Sequence, residues 1–485
     1  MTTPGGNGVR SGSDYLSGLR DGRDVWHRGE RVGDVTTHPG LSRGAHTLAQ
    51  FMDRQLDTDY RDRVTYEEGG NRYATSFLIP RSKADIAQRG EASYEWAKWS
   101  HGMFGRTPDY KNSSIMAFAA NSAYLAQDKP EYADNAVRFY EYCRNHDRVL
   151  THTLVNPTFN HAQAKAGIYN EKVALQVTEE TDAGIVVNGA RLLATLGPLA
   201  DEIEVFPSTV LRATDDNVPF AFAFALPIST PGIRLICRDT YDHGKSHFDA
   251  PLASRFEEMD AVVIFENVLV PWERVFLYGK PRLCNGAFVE TNALVHMMHQ
   301  VICNKLAKSE FAVGLLCAMA RATGKDQDAT VKGQIAEIMW ITESLRAFRY
   351  SAEGQAHEDQ WGTFVPLRRP LDTSRNLFLR SYSKMLEAVQ LLGSSSLMAT
   401  PSEADLTNEL SHDVGQYFQT VNLESKDRIA LFRLAHDFAV SGFGNRQLLY
   451  ERFFFGPQAL LASAYFDLYD RDEMIARVEE LLART

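Results

Sequence analysis

Four short segments carry side chains of types and spacings able to do chemistry. The densest is Ser100-His-Gly-Met-Phe-Gly-Arg-Thr-Pro-Asp-Tyr110. A helix ending near Gly102 or Gly105, then the extended turn that Thr107-Pro108 favours, projects Arg106 and Tyr110 toward one pocket. A guanidinium beside a phenol holds a phenolic or carboxylate oxygen and stabilises its anion. The competing reading is a loop-fixing Arg106–Asp109 pair with Tyr110 in the core. In the second segment, Leu150-Thr-His-Thr-Leu-Val-Asn-Pro157 and its continuation to Ala164, His152 stands among apolar and hydroxyl residues. There it serves as general base or hydrogen-bond donor near neutral pH, or as an ordinary core histidine. The third, Thr178 to Gly197, joins a polar loop to a strand, Ile185-Val-Val-Asn-Gly189, entering a turn, and to a hydroxyl at Thr195. A plain hairpin gives the same spacing. The fourth, Ser441-Gly-Phe-Gly-Asn-Arg-Gln447, is a glycine-rich break between helical stretches. Its amides, with Arg446 and Gln447, suit a phosphate or a polar ring edge, or form a simple interhelical turn.

Other chemistries lack their signatures. No GxGxxG follows a strand, and GxxxxGK[ST], HExxH and GxSxG are all missing. The pairs His243/His247 and His296/His299 have ligand-like spacing, but neither has an evident complete ligand set, so no metal is expected.

The elements that must position these segments fall into three regions, with boundaries expected at 1–150, 151–283 and 284–485. The first reads as helices between loops, with Ser82-Lys-Ala-Asp85 as a helix start and Asn135–Asn145 in helical spacing. In the second the period changes to short β-rich runs: Pro219–Leu226, Gly232–Cys237 and Asp260–Phe265. Their close turns point to a β-sandwich or barrel, not to βαβ units. The third keeps apolar residues at three-and-four spacing over Val301–Ala322, Val331–Ala352, Leu377–Met398 and Ile429–Ala439. That makes it a helical bundle. The expected fold is mainly α with a central β domain.

Composition narrows the function. A chain of 485 residues with 44% hydrophobic residues builds a large core. Its 51 Lys+Arg against 62 Asp+Glu give a net charge of −11, which argues against nucleic acid and anionic membrane as partners. Five cysteines without a CxxC suggest reduced thiols in a cytoplasm. The N-terminal residues lack a signal peptide's apolar stretch, and no apolar run reaches membrane-spanning length.

Taken in order, GRTPDY, THTLVNP, IVVNGARLLATLGP with EIEVFPS, and DAPLASRFEEMDAVVIFENVLVPWERVF resemble signature stretches of one family. It is that of the two-component flavin monooxygenases, the 4-hydroxyphenylacetate 3-hydroxylase (large component) and chlorophenol 4-monooxygenase family. With the glycine-rich break the resemblance spans about residues 11 to 460. It implies an acyl-CoA-dehydrogenase-like fold and a homotetramer built through the C-terminal bundle. It also implies reduced FAD delivered by a separate NAD(P)H:flavin reductase, with molecular oxygen as co-substrate. The implied reaction is hydroxylation of a 4-hydroxyphenylacetate-, tyrosine- or chlorophenol-like phenol, free or carrier-linked, ortho to its hydroxyl through a flavin C4a-hydroperoxide.

By position, Arg106, Tyr110 and His152 match the family's phenol-gripping residues, and Ser208 and Thr209 fall in its substrate loop. Flavin contacts carry over to His152, Thr153 and Leu154, to His161, Ala162, Gln163 and Ala164, to Thr195, and to Gly444, Asn445, Arg446 and Gln447. Two departures stand out. His161-Ala-Gln occupies the place of a basic residue expected after the Asn-Pro turn. His296 and His299 both lie where chlorophenol-type members have a pocket histidine. The alternative is an acyl-CoA-dehydrogenase-like flavoenzyme, which needs a catalytic glutamate such as Glu337, Glu343 or Glu387.

Overall fold

The computed structural model describes residues 8–160, 162, 170, 172–207 and 214–483. Ser82 caps the Lys83–Trp99 helix, its hydroxyl accepting from the Asp85 amide, a contact worth about 1 kcal/mol. After Trp99 the chain turns through His101 and Gly102, at φ 53° and 72°. Thr107 is extended, and Pro108 opens the next helix, Pro108–Ala120, at a first-turn position where its missing amide leaves nothing unpaired. Tyr110 therefore lies inside a helical first turn, one turn from the loop that carries Arg106.

The first 150 residues are not only helical. Asp24–His27 and Glu30–Val32 form a short antiparallel pair, and Asp24–His27 runs parallel to Ile233–Cys237. Strands of three and four residues are too short to show a period. Thus the N-terminal segment extends a six-stranded sheet. Its order is Glu30–Val32, Asp24–His27, Ile233–Cys237, Asp260–Pro271, Gly184–Thr195, Gln176–Thr181. A four-stranded sheet holds Val275–Tyr278, Phe222–Pro227, Glu202–Val205 and Leu150–Thr153. Phe224 of the smaller sheet meets Phe265 of the larger edge-on at 6.3 Å. Pro219 and Phe220, expected to begin the Pro219–Leu226 strand, instead end a 3-10 turn, Asp215–Phe220, and the strand starts at Phe222.

Gly189 does not end a strand as its sequence context predicts. The strand continues to Thr195, and Gly189 sits at φ 125° where a Cβ would overlap the Ala174 carbonyl. The glycine admits a close backbone crossing and makes no turn.

The remaining chain is helical apart from a short antiparallel pair, His357–Glu358 with Phe364–Val365. A 30-residue helix, Ala293–Ala322, runs buried through the middle. It packs against Lys83–Trp99, Pro108–Ala120, Ala329–Gly354 and Arg368–Gly393. Ser425–Ala439 and Gly442–Phe453 close the bundle beside the sheet. Among the described residues no helix is long and apolar enough to cross a membrane.

Candidate active site

A cleft of about 660 Å³ lies between the larger sheet and the Gly442–Phe453 helix, with the Leu150–Thr153 strand at one end. Its floor is apolar because of an irregularity in the ladder. Pairing skips from Ala261↔Ala194 to Val263↔Arg191, so Leu192 and Leu193 together oppose Val262. Two residues against one is a β-bulge, and it turns two consecutive leucines to the same face. Leu192, Leu193, Ile236, Leu449 and Phe453 all line the cleft and are 44% to 59% exposed. Among the described residues nothing covers this floor and wall, which suits a large flat apolar ligand.

One end of the cleft is charged. Glu258 accepts from the Gly105 and Arg106 amides at 3.0 Å each and from Arg446 Nη1 at 2.5 Å. Arg446 also donates to both oxygens of Asp260, at 3.0 and 2.7 Å. Asp260 takes further bonds from Thr195 Oγ1 at 2.7 Å and Arg238 Nε at 2.8 Å. Burial acts to raise the Asp260 carboxyl, but Arg446 and Arg238 hold it far below the usual carboxylate range. The clamp joins the GRTPDY loop, the sheet and the helix into one rigid edge.

Arg106 stands over this edge. Its guanidinium lies 4.2 Å from the centre of the Tyr110 ring, and Nη1 donates to Tyr450 Oη at 3.0 Å. Burial alone would lower its affinity for a proton, yet Tyr450, Tyr110 and Glu258 raise it, so the charge is permanent. Asp109 is not its partner. That carboxylate accepts from Gln300 at 3.2 Å, and burial pushes its pKa up to about 6. The loop-fixing alternative therefore fails.

His152 lines the cleft, its ring 6.0 Å from that of Tyr110. Burial, then the charges of Lys111 and Arg106, drives its pKa well below the ordinary histidine value. It is a neutral imidazole, and its Nδ1 has no hydrogen-bond partner among the described residues. Lys111 and Glu204 form a buried ion pair at 3.1 Å behind it, and Glu204 is the strand neighbour of His152.

The other expected residues scatter. Leu154, Thr195 and Arg446 line the cleft, while the buried Thr153 does not. The GFGNRQ segment is the start of a helix capped by Ser441, with no break inside it. Winding it up sends Arg446 to the cleft and Asn445 to solvent. Gly444 is buried, with its amide on the Ser441 hydroxyl. Gln447 turns to the core, between Lys308 Nζ and the Met103 carbonyl at 2.9 Å each. Ala162 is exposed, its amide donating to Asn160 Oδ1. His161, Gln163, Ala164, Ser208 and Thr209 lie outside the described residues. His299 is bound to Glu353 at 2.9 Å; His296 is buried, with Nδ1 unpartnered among the described residues. Neither lines the cleft.

Sequence reasoning missed Arg238, Glu258, Asp260, Tyr450 and Phe454. Tyr450 and Phe454 follow Arg446 by one and two helical turns, a spacing that points to them once Arg446 is placed at the cleft. The glutamates of the dehydrogenase alternative stand elsewhere. Glu337 pairs with Lys384 and Glu343 with Arg346 near the surface, Glu387 is exposed, and none lines the cleft.

A helix–sheet–helix chain with an apolar cleft against its sheet has the acyl-CoA-dehydrogenase-like fold. An archaeal 4-hydroxybutyryl-CoA dehydratase from N. maritimus shares that fold at 16% identity, with a TM-score of 0.87 over 98% of this chain and 95% of that one. Residues 11–277 match the family described as 4-hydroxyphenylacetate 3-hydroxylase N terminal, and residues 284–483 the corresponding C-terminal family. The chain belongs to the 4-hydroxyphenylacetate 3-hydroxylase family and is a two-component flavin-dependent monooxygenase. The 4-hydroxyphenylacetate 3-monooxygenase oxygenase component of Thermus thermophilus is 44% identical, over 98% of this chain and 97% of that protein. The Geobacillus protein of the same name is 42% identical, over 98% and 96%. A crystal structure of such an oxygenase component with FAD and 4-hydroxyphenylacetate superimposes with a TM-score of 0.94 at 43% identity, covering 98% of each chain.

Proposed function

We propose that this chain hydroxylates a phenol of the 4-hydroxyphenylacetate class ortho to its hydroxyl, using dioxygen and reduced FAD supplied by a separate flavin reductase. The observation that carries the reading is the fixed Arg106 guanidinium over Tyr110, beside a neutral buried His152, at the charged end of an otherwise apolar cleft. The cleft residues fit a flavin. Its bulged apolar floor suits a flat ring, and the buried unpartnered Nδ1 of His152 suits a polar atom at the ring's edge. Leu154, Thr195 and the Arg446 end of the helix would hold it. When bound, reduced flavin and dioxygen supply the oxygen atom and the two electrons that balance ring hydroxylation with release of water.

The chain's own residues prepare the phenol. Arg106 attracts the phenolic oxygen and favours its anion, which enriches the ortho carbon in electron density. Neutral His152 accepts the phenol's hydrogen bond, and the proton is left in solvent when the substrate binds as its anion. Tyr110 packs beneath the guanidinium and fixes its plane. The apolar walls keep out water that would divert the reaction to hydrogen peroxide.

The finer parts of the reading rest on separate features. All five cysteines are free, which suits a reducing cytoplasm. The C-terminal Asp472–Ala483 helix buries none of its residues and exposes Met474, Ile475, Val478, Leu481 and Leu482. The exposed apolar face of Met474, Ile475, Val478 and Leu481 supports assembly into a homotetramer through the C-terminal region.

The test is a substrate panel with reduced FAD and dioxygen: 4-hydroxyphenylacetate, tyrosine, chlorophenol, and carrier-linked tyrosine. A catechol product from at least one phenol is expected. Hydrogen peroxide alone with every phenol overturns the reading.

A further inference from the structure

We propose that Tyr450 is a further substrate-contacting residue, donating its hydroxyl proton to the same phenolic oxygen that Arg106 holds. This rests on the phenol-hydroxylase reading above and deepens it. Tyr450 lines the cleft, and its Oη accepts from Arg106 Nη1 at 3.0 Å. Its own O–H has no acceptor among the described residues. A hydroxyl that receives one hydrogen bond from a cation becomes a better donor through the other. An anion placed against Arg106 is the natural acceptor for that proton.

The ring is held for this purpose on every side. It stacks on Phe454 with centroids 5.0 Å apart and planes 13° from parallel. The guanidinium of Arg446 lies 4.9 Å from its centre and the ammonium of Lys305 5.2 Å. Lys305 is itself anchored by Glu451 at 2.7 Å, the residue after Tyr450. Gly105 completes the seat, because a Cβ there would overlap Tyr450 Cζ and Oη. The glycine before Arg106 is thus explained by a tyrosine 345 positions further along the chain.

The charged and titratable groups facing Tyr450 are Arg106, Arg446, Lys305, Tyr110, Glu258 and Glu451. Burial outweighs the pull of Arg106 and keeps the phenol well above its ordinary pKa, so the proton to be donated is retained.

The experiment compares full-length wild type, Tyr450→Phe and Gly105→Ala in three measurements. These are steady-state turnover with 4-hydroxyphenylacetate and reduced FAD, reduced-FAD affinity, and the ultraviolet difference spectrum separating bound phenolate from bound phenol. Tyr450→Phe is expected to raise KM about 10- to 100-fold, the size of one hydrogen bond to a charged group. The ionisation of the bound phenol should move up by about one to two pH units, with reduced-FAD affinity kept. Gly105→Ala, which leaves the hydroxyl present but displaced, should follow the same pattern more weakly. Unchanged KM and bound-phenol ionisation in Tyr450→Phe overturn the proposal, as does a loss confined to reduced-FAD affinity. If wild type forms no catechol from any phenol, the underlying reading has failed. If wild type forms catechol and Tyr450→Phe matches it, only the role of Tyr450 has failed.

Discussion

Arg106 owes its place to backbone amides as much as to its side chain, since Glu258 grips the loop at Gly105 and Arg106. Removing the side chain should leave that grip intact. Arg106→Ala is therefore expected to bind reduced flavin nearly as wild type does. KM for the phenol should rise about 10- to 100-fold, the loss of a charge-assisted hydrogen bond, with peroxide replacing catechol. Product ratio and flavin affinity measured together check this, and a large loss of flavin affinity contradicts the assignment. His152 and His296 make a pH prediction. Burial first, then neighbouring cations, lowers both well below the ordinary value, so below about pH 6.5 the unfolded chain takes up protons that the native chain refuses. Their contribution to stability is present above that pH and lost as pH falls. Asp109 and Glu202, pushed up to about 6, act in the opposite sense as they ionise. The clean readout is accordingly a difference. Urea unfolding at about pH 7.5 and about pH 5.5 should show a smaller acid loss in His152→Asn than in wild type. At this scale the meeting of Arg106, Tyr110 and His152, the proposed phenol grip, was legible, because the three sit in two compact motifs. Glu258, Asp260 and Tyr450 were not, because they meet the motifs only through long-range packing.

The elements differ in how openly the chain announces them. Helices with a sustained period, such as Lys83–Trp99, capped by Ser82, and Ala293–Ala322, form where the residues point to them, although the second starts eight residues before the expected Val301. The short Asp24–His27 and Glu30–Val32 strands and the Leu192–Leu193 bulge do not. Each depends on a partner strand far along the chain. The GFGNRQ segment shows the limit of composition, since two glycines and polar residues suggest a loop but Ser441 caps a helix there. What fixes that helix to the sheet is the Asp260 clamp. Asp260→Asn takes from Arg446 and Arg238 one of the two carboxylates each pairs with, Glu258 and Glu257 remaining, and should cost about 1.5–3 kcal/mol, read as a lower urea midpoint. In a double-mutant cycle the added loss from Arg446→Met should be smaller than its loss alone. Additive losses would show that the two do not act as a unit.

For the whole molecule, one prediction concerns assembly. Deleting Asp472–Ala483 removes an exposed apolar helix face and is expected to turn a tetramer into smaller species by sedimentation equilibrium while the core still folds. A tetramer that survives the deletion contradicts assembly through this face. The helix–sheet–helix order was readable because period and composition change near residues 150 and 284. The cleft between sheet and bundle was not, since its lining comes from six separate stretches of chain. That cleft has a further consequence. Among the described residues nothing covers its bulged leucines and Phe453, so a bound flavin would work as a removable piece of the core. By mass action, reduced flavin at about 100 times its dissociation constant adds about 2.7 kcal/mol to the folded state. Melting temperature should climb with flavin concentration. The pool size kept up by the reductase then sets not only how fast this oxygenase turns over but how long it survives heat and avoids clumping.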